Sequence, residues 1–108
     1  MSFEIRYTPA FERAIKRLAK KYPSIRTDFT ALLAELAVDP HAGTSLGKDC
    51  YKIRMAISSK SRGKSGGARV ITCVKVVKET IFLLTIYDKS ERESITDEEL
   101  ERLMAMVG

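Results

Sequence analysis

The chain has 108 residues, of which 44% are hydrophobic, and a formal net charge of +5. This length predicts one domain, residues 1–108, with a single apolar core that folds without disulfide bonds. No run approaches about eighteen consecutive apolar residues, and no basic N-terminal segment precedes a long apolar run, so we expect neither a membrane span nor a secretory signal. We therefore expect a cytoplasmic protein in which both cysteines, Cys50 and Cys73, are reduced.

The first part of the chain predicts a strand and two helices. Apolar and charged residues alternate in FEIRY, residues 3–7, as in a strand. Thr8 suits the cap of a helix over Pro9–Lys21, and Ser24 suits the cap of a second helix that runs to about Val38. Apolar residues recur at helical spacing in both. The short, proline-containing connection predicts an antiparallel helical hairpin.

Three strand-like runs and a short helix follow. YKIRMAI, residues 51–57, alternates, whereas ARVITCVKVV, residues 68–77, and TIFLLTIY, residues 80–87, are nearly continuous apolar runs typical of buried central strands. Thr96 and Glu99 form a capping box that opens a helix in DEELERLMAM. The order strand–helix–helix–three strands–helix, with short turns between the strands, predicts an α+β fold with a mostly antiparallel sheet packed on the hairpin.

Positive charge is concentrated in the middle of the chain. Between positions 48 and 69 there is one acid, Asp49, against seven cations, which are Lys48, Lys52, Arg54, Lys60, Arg62, Lys64 and Arg69. Like charges repel, so this distribution favours a polyanionic or acidic partner. A solvated basic hairpin tip without a ligand is the alternative explanation.

Strand parity brings some of these cations together. Lys52 and Arg54 project from one face of their strand, about 7 Å apart, opposite the face that buries Ile53. If the next strand pairs with this one, Arg69 at its start lies beside them. We name Lys52, Arg54 and Arg69 the basic patch and interpret it as a phosphate-binding surface.

The glycine-rich segment SSKSRGKSGG, residues 58–67, is named the basic loop. We expect it to be mobile and to hold three RNA-binding cations above the basic patch, namely Lys60, Arg62 and Lys64. Its GKSGG sequence lacks the spacing of a Walker motif. The single histidine, His41, lies in a predicted turn, and the two cysteines have no metal-ligand spacing, so we predict neither a cofactor nor a metal site.

The segments CYKIRMA, GKSGGARVI and FLLTIYDKSERESIT, together with the order of the elements, resemble the RelE/ParE superfamily of bacterial toxins, in particular its RelE/HigB-like branch. The resemblance covers nearly the whole chain. It implies a RelE-like fold, a cognate antitoxin as partner, and a place in a type II toxin–antitoxin pair. Toxins of the RelE and HigB branches enter the ribosomal A site and cut messenger RNA, so the resemblance implies a ribosome-dependent, metal-independent endoribonuclease (mRNA interferase).

The resemblance also implies which residues are catalytic. The family's basic pair on the strand after the helices matches Lys52 and Arg54, and its arginine at the start of the next strand matches Arg69. A further family arginine falls near Ser90, where the neighbouring cation is Lys89. A tyrosine of some members falls near Thr96 and is absent here, so Tyr87, which lies close by, is a candidate substitute.

The chemistry of RNA cleavage assigns a role to each of these residues. Attack by the 2′-hydroxyl on the adjacent phosphate needs a base, positive charge for the phosphorane, and an acid for the leaving 5′-oxygen. Lys52, whose cationic neighbours favour loss of its proton, is the candidate base. The candidate groups for charge stabilisation are Arg54 and Arg69, and those for the acid are Lys89 and Tyr87.

Three alternatives belong to other classes of function. A ParE-like toxin poisons DNA gyrase and needs no RNA-cutting residues, and the convergence of the basic patch argues against it. The others are a non-catalytic RNA-binding module and a protein that only binds its antitoxin. For the antitoxin we predict binding to the basic patch and to an exposed apolar stripe on the last helix, formed by Leu100, Leu103, Met104 and Val107.

Overall fold

The computed structural model describes residues 3–60, 63 and 66–107, and within them the chain forms a five-stranded sheet with three helices. The strands are β1 (Glu4–Tyr7), β2 (Thr44–Gly47), β3 (Cys50–Met55), β4 (Ala68–Lys75) and β5 (Thr80–Asp88). The helices are α1 (Pro9–Lys21), α2 (Ile25–Val38) and α3 (Asp97–Met104). The sheet order is β1-β5-β4-β3-β2, in which only β1 and β5 are parallel neighbours. The predicted α+β class is confirmed.

The helices cover the two faces of the sheet unequally. Both α1 and α2 pack on one face, where Phe11, Leu18 and Leu36 share a core with residues of β3, β4 and β5 such as Val70 and Leu83. On the opposite face, α3 contributes Leu100 and Leu103 to a smaller apolar cluster. The basic patch lies on this second face, beside the smaller cluster.

Both helices that begin after a threonine are capped as the sequence predicts. Thr8 Oγ1 accepts a hydrogen bond from Phe11 N at 3.1 Å, and Thr96 Oγ1 accepts one from Glu99 N at 3.1 Å. Ser24 occupies the cap position of α2, but its hydroxyl donates to the Asp28 carboxylate at 2.7 Å and makes no cap bond. Local capping therefore fixes where α1 and α3 begin.

The edge strand β2 is not predicted by any pattern in the sequence. Its sequence, TSLG, has neither apolar alternation nor a β-branched run, so no local pattern indicates a strand. The strand forms because it pairs with β3 through a tight turn in which Lys48 and Asp49 both have positive φ, at 55° and 64°. This geometry matches the twist of a two-residue hairpin loop.

A glycine sets the separation between the ends of β3 and β4. A side-chain carbon at Gly67 would lie 2.2 Å from the carbonyl oxygen of Met55. Only glycine therefore fits where the chain enters β4, one residue before Ala68 and two before Arg69. None of the helices in the described ranges has the length and apolarity that a bilayer crossing requires.

Candidate phosphate-binding site

The basic patch forms one continuous group of cations on the α3 side of the sheet. Arg54 on β3 is the direct partner of Arg69 on β4, and Arg69 is in turn the partner of Tyr87 on β5. Lys52 lies two residues from Arg54 on the same face, opposite Ile71. The predicted pairing of these strands is confirmed, and it places three cations and a phenol on neighbouring positions of three strands.

The members of the patch differ in exposure. Arg54 is exposed and Lys52 is half-buried, whereas Arg69 is only 4% exposed and donates from Nη1 to the carbonyl oxygen of Ala68 at 3.1 Å. Burial, followed by the charge of Arg54, lowers the pKa of Arg69. A guanidinium stays protonated in proteins. The lowered pKa therefore means that burial and the neighbouring charge destabilise the charged form of Arg69. An anion placed beside Arg54 and Arg69 would stabilise the charged form of Arg69.

Tyr87 lies in the core below the patch. It is 5% exposed, and its hydroxyl makes no hydrogen bond to any described residue. Burial raises the pKa of Tyr87, against the opposing effect of the charges on Arg92 and Arg69. The phenol therefore keeps its proton at neutral pH, as a proton donor must, but it reaches a ligand only after the groups above it move.

Arg92 is a cation of this site that no sequence pattern indicates. Its guanidinium lies 5.0 Å from the centroid of the Tyr87 ring and donates to the Glu99 carboxylate at 2.5 and 3.1 Å. The carboxylate of Glu99, which was predicted to complete the capping box, therefore pairs with Arg92. The other half of the predicted box is present, because Thr96 still caps the helix. The sequence signal is weak, since only the fold brings Arg92 over Tyr87.

Lys89 follows the last residue of β5. Its backbone N–H donates to the Gly67 carbonyl oxygen at 3.0 Å, which extends the pairing of β4 with β5 by one position. Alternation along the strand places position 89 on the side of Tyr87, and the side chain is half-buried. Ser90 turns away, because its backbone N–H and hydroxyl both donate to Asp88.

Lys60 does not lie above the patch, so this expectation was wrong. Its ammonium donates to Asp88 at 2.7 Å and to the Gly66 carbonyl oxygen at 3.1 Å, and its side chain is 13% exposed. Asp88 is wholly buried on the helix-facing side of the sheet, where it also accepts from the Tyr22 hydroxyl at 2.5 Å. Lys60 is therefore a structural ion-pair partner. The other two predicted RNA-binding cations, Arg62 and Lys64, lie outside the described residues.

The network around Asp88 has a consequence for its ionisation. Burial alone favours the neutral carboxyl, but hydrogen bonds from Lys60, Tyr22 and Ser90 outweigh burial and hold the pKa of Asp88 well below its usual value. The carboxylate thus joins the start of the basic loop, the end of α1 and the segment after β5. This network fixes the base of the loop without using the basic patch.

The predicted apolar docking stripe on α3 is not a free surface. Leu100 and Leu103 are 4% and 8% exposed because they pack against the sheet, although Met106 beyond the helix is 52% exposed. An open groove of about 820 Å³ lies instead between α1 and α2. Its lining includes the apolar side chains of Phe11, Ile15, Phe29 and Leu33 and the cations Arg13, Lys16 and Arg26.

Among the described residues, no three or more His, Cys, Asp and Glu side chains lie together as a metal site. The titratable groups on the row of paired strands at the patch are lysine, arginine and tyrosine side chains.

Comparisons with known proteins agree with this architecture. The family model described as "RelE toxin of RelE / RelB toxin-antitoxin system" matches residues 11–108. A double arginine-to-alanine mutant of Escherichia coli toxin RelE in the free state superposes with a TM-score of 0.64 at 21% identity, over 100% of both chains. The intact E. coli RelBE toxin–antitoxin complex matches with a TM-score of 0.61 at 20% identity, over 80% of this chain and 95% of that one. The mutant bound to an antitoxin RelB peptide matches with a TM-score of 0.58 at 20% identity, over 94% of each chain.

Proposed function

This chain belongs to the RelE toxin family, the toxins of RelE/RelB toxin–antitoxin systems, and we propose that it cuts messenger RNA on the ribosome. The observation that carries the proposal is the row formed by Arg54, Arg69 and Tyr87 across three paired strands, with Lys52 beside it. Such a row offers a scissile phosphate the exposed guanidinium of Arg54, the rigidly held guanidinium of Arg69 once the groups above it move, and at least one group that exchanges protons.

Each residue takes a role that its position allows. Lys52, half-buried at the edge of the patch, removes the proton of the 2′-hydroxyl. Arg54 and Arg69 stabilise the negative charge that develops on the phosphorane, and Arg69 is held rigidly because its strand is buried. The leaving 5′-oxygen takes its proton from Lys89, which is more accessible than Tyr87. The phenol of Tyr87 is the alternative donor once the segment above it moves.

The ribosome supplies what this site lacks. A lysine base and an arginine pair are weak catalysts for a flexible RNA in free solution. Holding the message in one geometry converts the reaction into an intramolecular step, and such positioning contributes roughly 7–11 kcal/mol in favourable cases. We therefore expect cleavage of translated messages and little cleavage of free RNA.

Controlled expression tests this function. Wild-type protein should arrest growth and produce messenger RNA ends that disappear when translation is blocked before induction. A variant with Lys52→Ala and Arg54→Ala should produce neither effect, whereas the matched control with Arg17→Ala and Lys20→Ala, exposed on α1, should behave as wild type. Growth arrest with broken DNA and intact messages would instead support gyrase poisoning.

The partner proposed for the α1–α2 groove is an amphipathic, acidic segment of an antitoxin. The groove has an apolar lining that includes Phe29 and Leu33, and cations at Arg13, Lys16 and Arg26. An apolar helix face fits the lining, and carboxylates beside that face pair with the cations. Co-expression with the product of a neighbouring gene should yield a stable complex. A chain that is harmless when highly expressed, and that binds no such product, argues against a toxin–antitoxin pair.

A further inference from the structure

The two cysteines stand directly opposite each other on adjacent strands. Cys50 on β3 is the Cα partner of Cys73 on β4. The next pair along, Asp49 and Val74, is joined by a backbone hydrogen bond of 2.9 Å from Val74 N to Asp49 O. Since hydrogen-bonded and non-hydrogen-bonded pairs alternate in an antiparallel ladder, the cysteines form a non-hydrogen-bonded pair. Side chains approach most closely in such pairs, whose Cα atoms lie about 4.5 Å apart.

This separation falls within the range of a disulfide. Cysteines are bridged without backbone movement when their Cα atoms lie about 4.4–6.8 Å apart. Both side chains project to the α3 face of the sheet, and both are wholly buried in the cluster that contains Leu100 and Leu103. Register and side-chain direction therefore both favour a bond between the sulfur atoms.

The surroundings make the two thiols unequal. Their side chains are cross-strand neighbours, so each thiol affects the ionisation of the other. Hydrogen bonding from Cys50, with help from the charge of Lys75, outweighs burial and lowers the pKa of Cys73 to about 7. The same bond, followed by burial, raises the pKa of Cys50. In the structure the Cys50 thiol donates to the Lys48 carbonyl oxygen at 3.6 Å.

We propose that Cys50 and Cys73 form a redox site that closes reversibly to an intramolecular disulfide by exchange with small disulfides such as oxidised glutathione. The proposal concerns residues outside the basic patch, so it stands or falls separately from RNA cleavage.

The exchange proceeds in two balanced steps. The Cys73 thiolate attacks one sulfur of oxidised glutathione, which forms a mixed disulfide and releases one glutathione thiolate. Cys50 passes its proton to the released thiolate and attacks the Cys73 sulfur, which forms the internal disulfide and releases the second glutathione. Two protein thiols are oxidised and one glutathione disulfide is reduced to two thiols. Excess reduced glutathione reverses both steps.

Access to the buried sulfurs requires local opening of α3. An eight-residue helix is not stable alone and depends on the packing of Leu100 and Leu103 over the cysteines. Local opening of such a small element is a low-energy fluctuation compared with global unfolding.

The disulfide ties together both ends of the segment that contains the basic patch and the basic loop. Cys50 lies two residues before Lys52, and Cys73 lies four residues after Arg69. Oxidation therefore closes the base of the β3–β4 hairpin covalently, while the row formed by Arg54 and Arg69 keeps its register.

The test uses the full-length protein equilibrated in glutathione buffers of increasing oxidised fraction, then quenched with an alkylating agent and weighed by mass spectrometry. Wild type should lose two hydrogen masses, take up no alkyl group, remain monomeric on a non-reducing gel, and yield one proteolytic peptide pair joined through Cys50 and Cys73. Reduced glutathione should restore both alkylatable thiols.

Single-cysteine variants report access to each thiol. In Cys50→Ser, Cys73 should retain one glutathionyl group, because no resolving thiol is present, and in Cys73→Ser the remaining Cys50 should react more slowly. Persistent glutathione adducts on wild type, or two free thiols in wild type under conditions that modify Cys50→Ser, would overturn the proposal. So would failure of every one of these proteins to react while folded.

Discussion

Arg54 and Arg69 are direct cross-strand partners, so the fold places two guanidinium groups side by side on one face of the sheet. Like charges opposite each other in a ladder are destabilising. Lys52, Ile71 and Tyr87 are the adjoining residues in the register, and the negative charge of Glu93, which lies after the last strand, offsets part of the positive charge of Arg69. A site that binds phosphate has a use for this arrangement, because the anion removes the repulsion.

The first prediction concerns the stability of the free protein. Arg54→Ala should raise the free energy of unfolding by about 0.2–1 kcal/mol, because it removes the repulsion between partners. Urea denaturation at low salt measures the change, and the gain should shrink as salt screens the charges. The control is Arg6→Ala, which removes a cation that is paired with Glu4 at 2.9 Å and should give no gain. A loss of stability in Arg54→Ala at low salt contradicts the explanation.

The second prediction concerns acid stability. The pKa of Asp88 is depressed in the folded state, so its contribution is complete above the unfolded value, about 3.9, and is lost as the pH falls through and below that value. Asp88→Asn should therefore be less stable than wild type at pH 7 and should lose less stability between pH 5 and about pH 3. Part of the acid sensitivity should remain, because hydrogen bonds from Ser58 and Ser24 also lower the pKa of Asp28. Chemical denaturation across this pH range is the measurement.

Lys60→Met removes the other member of the ion pair between Lys60 and Asp88. It leaves the buried carboxylate without its cation, and breaking a buried pair from one side costs roughly 3–5 kcal/mol. Asp88→Asn breaks the same pair but leaves the ammonium of Lys60, which is 13% exposed, rather than a wholly buried carboxylate, so the loss at pH 7 should be larger in Lys60→Met. Equal stabilities for wild type and Lys60→Met would show that the 2.7 Å contact does not contribute to folding.

The third prediction concerns the salt dependence of RNA binding. Each phosphate contact contributes roughly 0.7–0.9 to the slope of log affinity against log salt. Replacement of two loop cations in Arg62→Ala/Lys64→Ala should lower the slope by about 1.4–1.8. Lys60→Ala should instead lower stability, since its ammonium is bound to Asp88. If the double variant and wild type have the same slope, the RNA binds another surface of the protein.

The sequence predicted the fold more fully than it predicted the site. Alternation in YKIRMAI correctly placed Lys52 and Arg54 on the face opposite Ile53, because strand parity is a local property. The inward position of Lys60 was missed, because it depends on Asp88, which is 28 residues away along the chain. Arg92 was missed for the same reason, since its contact with Tyr87 needs the turn after β5.

The fourth prediction concerns the groove between α1 and α2. Arg13→Glu should weaken antitoxin binding, because it places a negative charge beside the proposed acidic segment. Arg17→Glu is the matched control, with the same charge change on the same helix at an exposed position outside the groove. Titration calorimetry with the purified antitoxin measures both. Equal affinities for the two variants would show that the antitoxin binds a surface other than the groove.

The central claim is that the basic patch performs cleavage, and single-turnover cutting of a message on programmed ribosomes, with ribosome binding assayed in parallel, tests it most directly. Arg69→Ala should lower the cleavage rate about 100-fold or more, in line with the loss of one fixed group beside a developing charge. Lys52→Ala should lower cleavage with little change in binding, and Lys52→Arg should not restore it, because arginine keeps the charge but is a poor base. Full activity in Lys52→Arg would show that residue 52 supplies positive charge and does not act as the base. Full activity in a variant that carries both Lys52→Ala and Arg69→Ala would contradict the account.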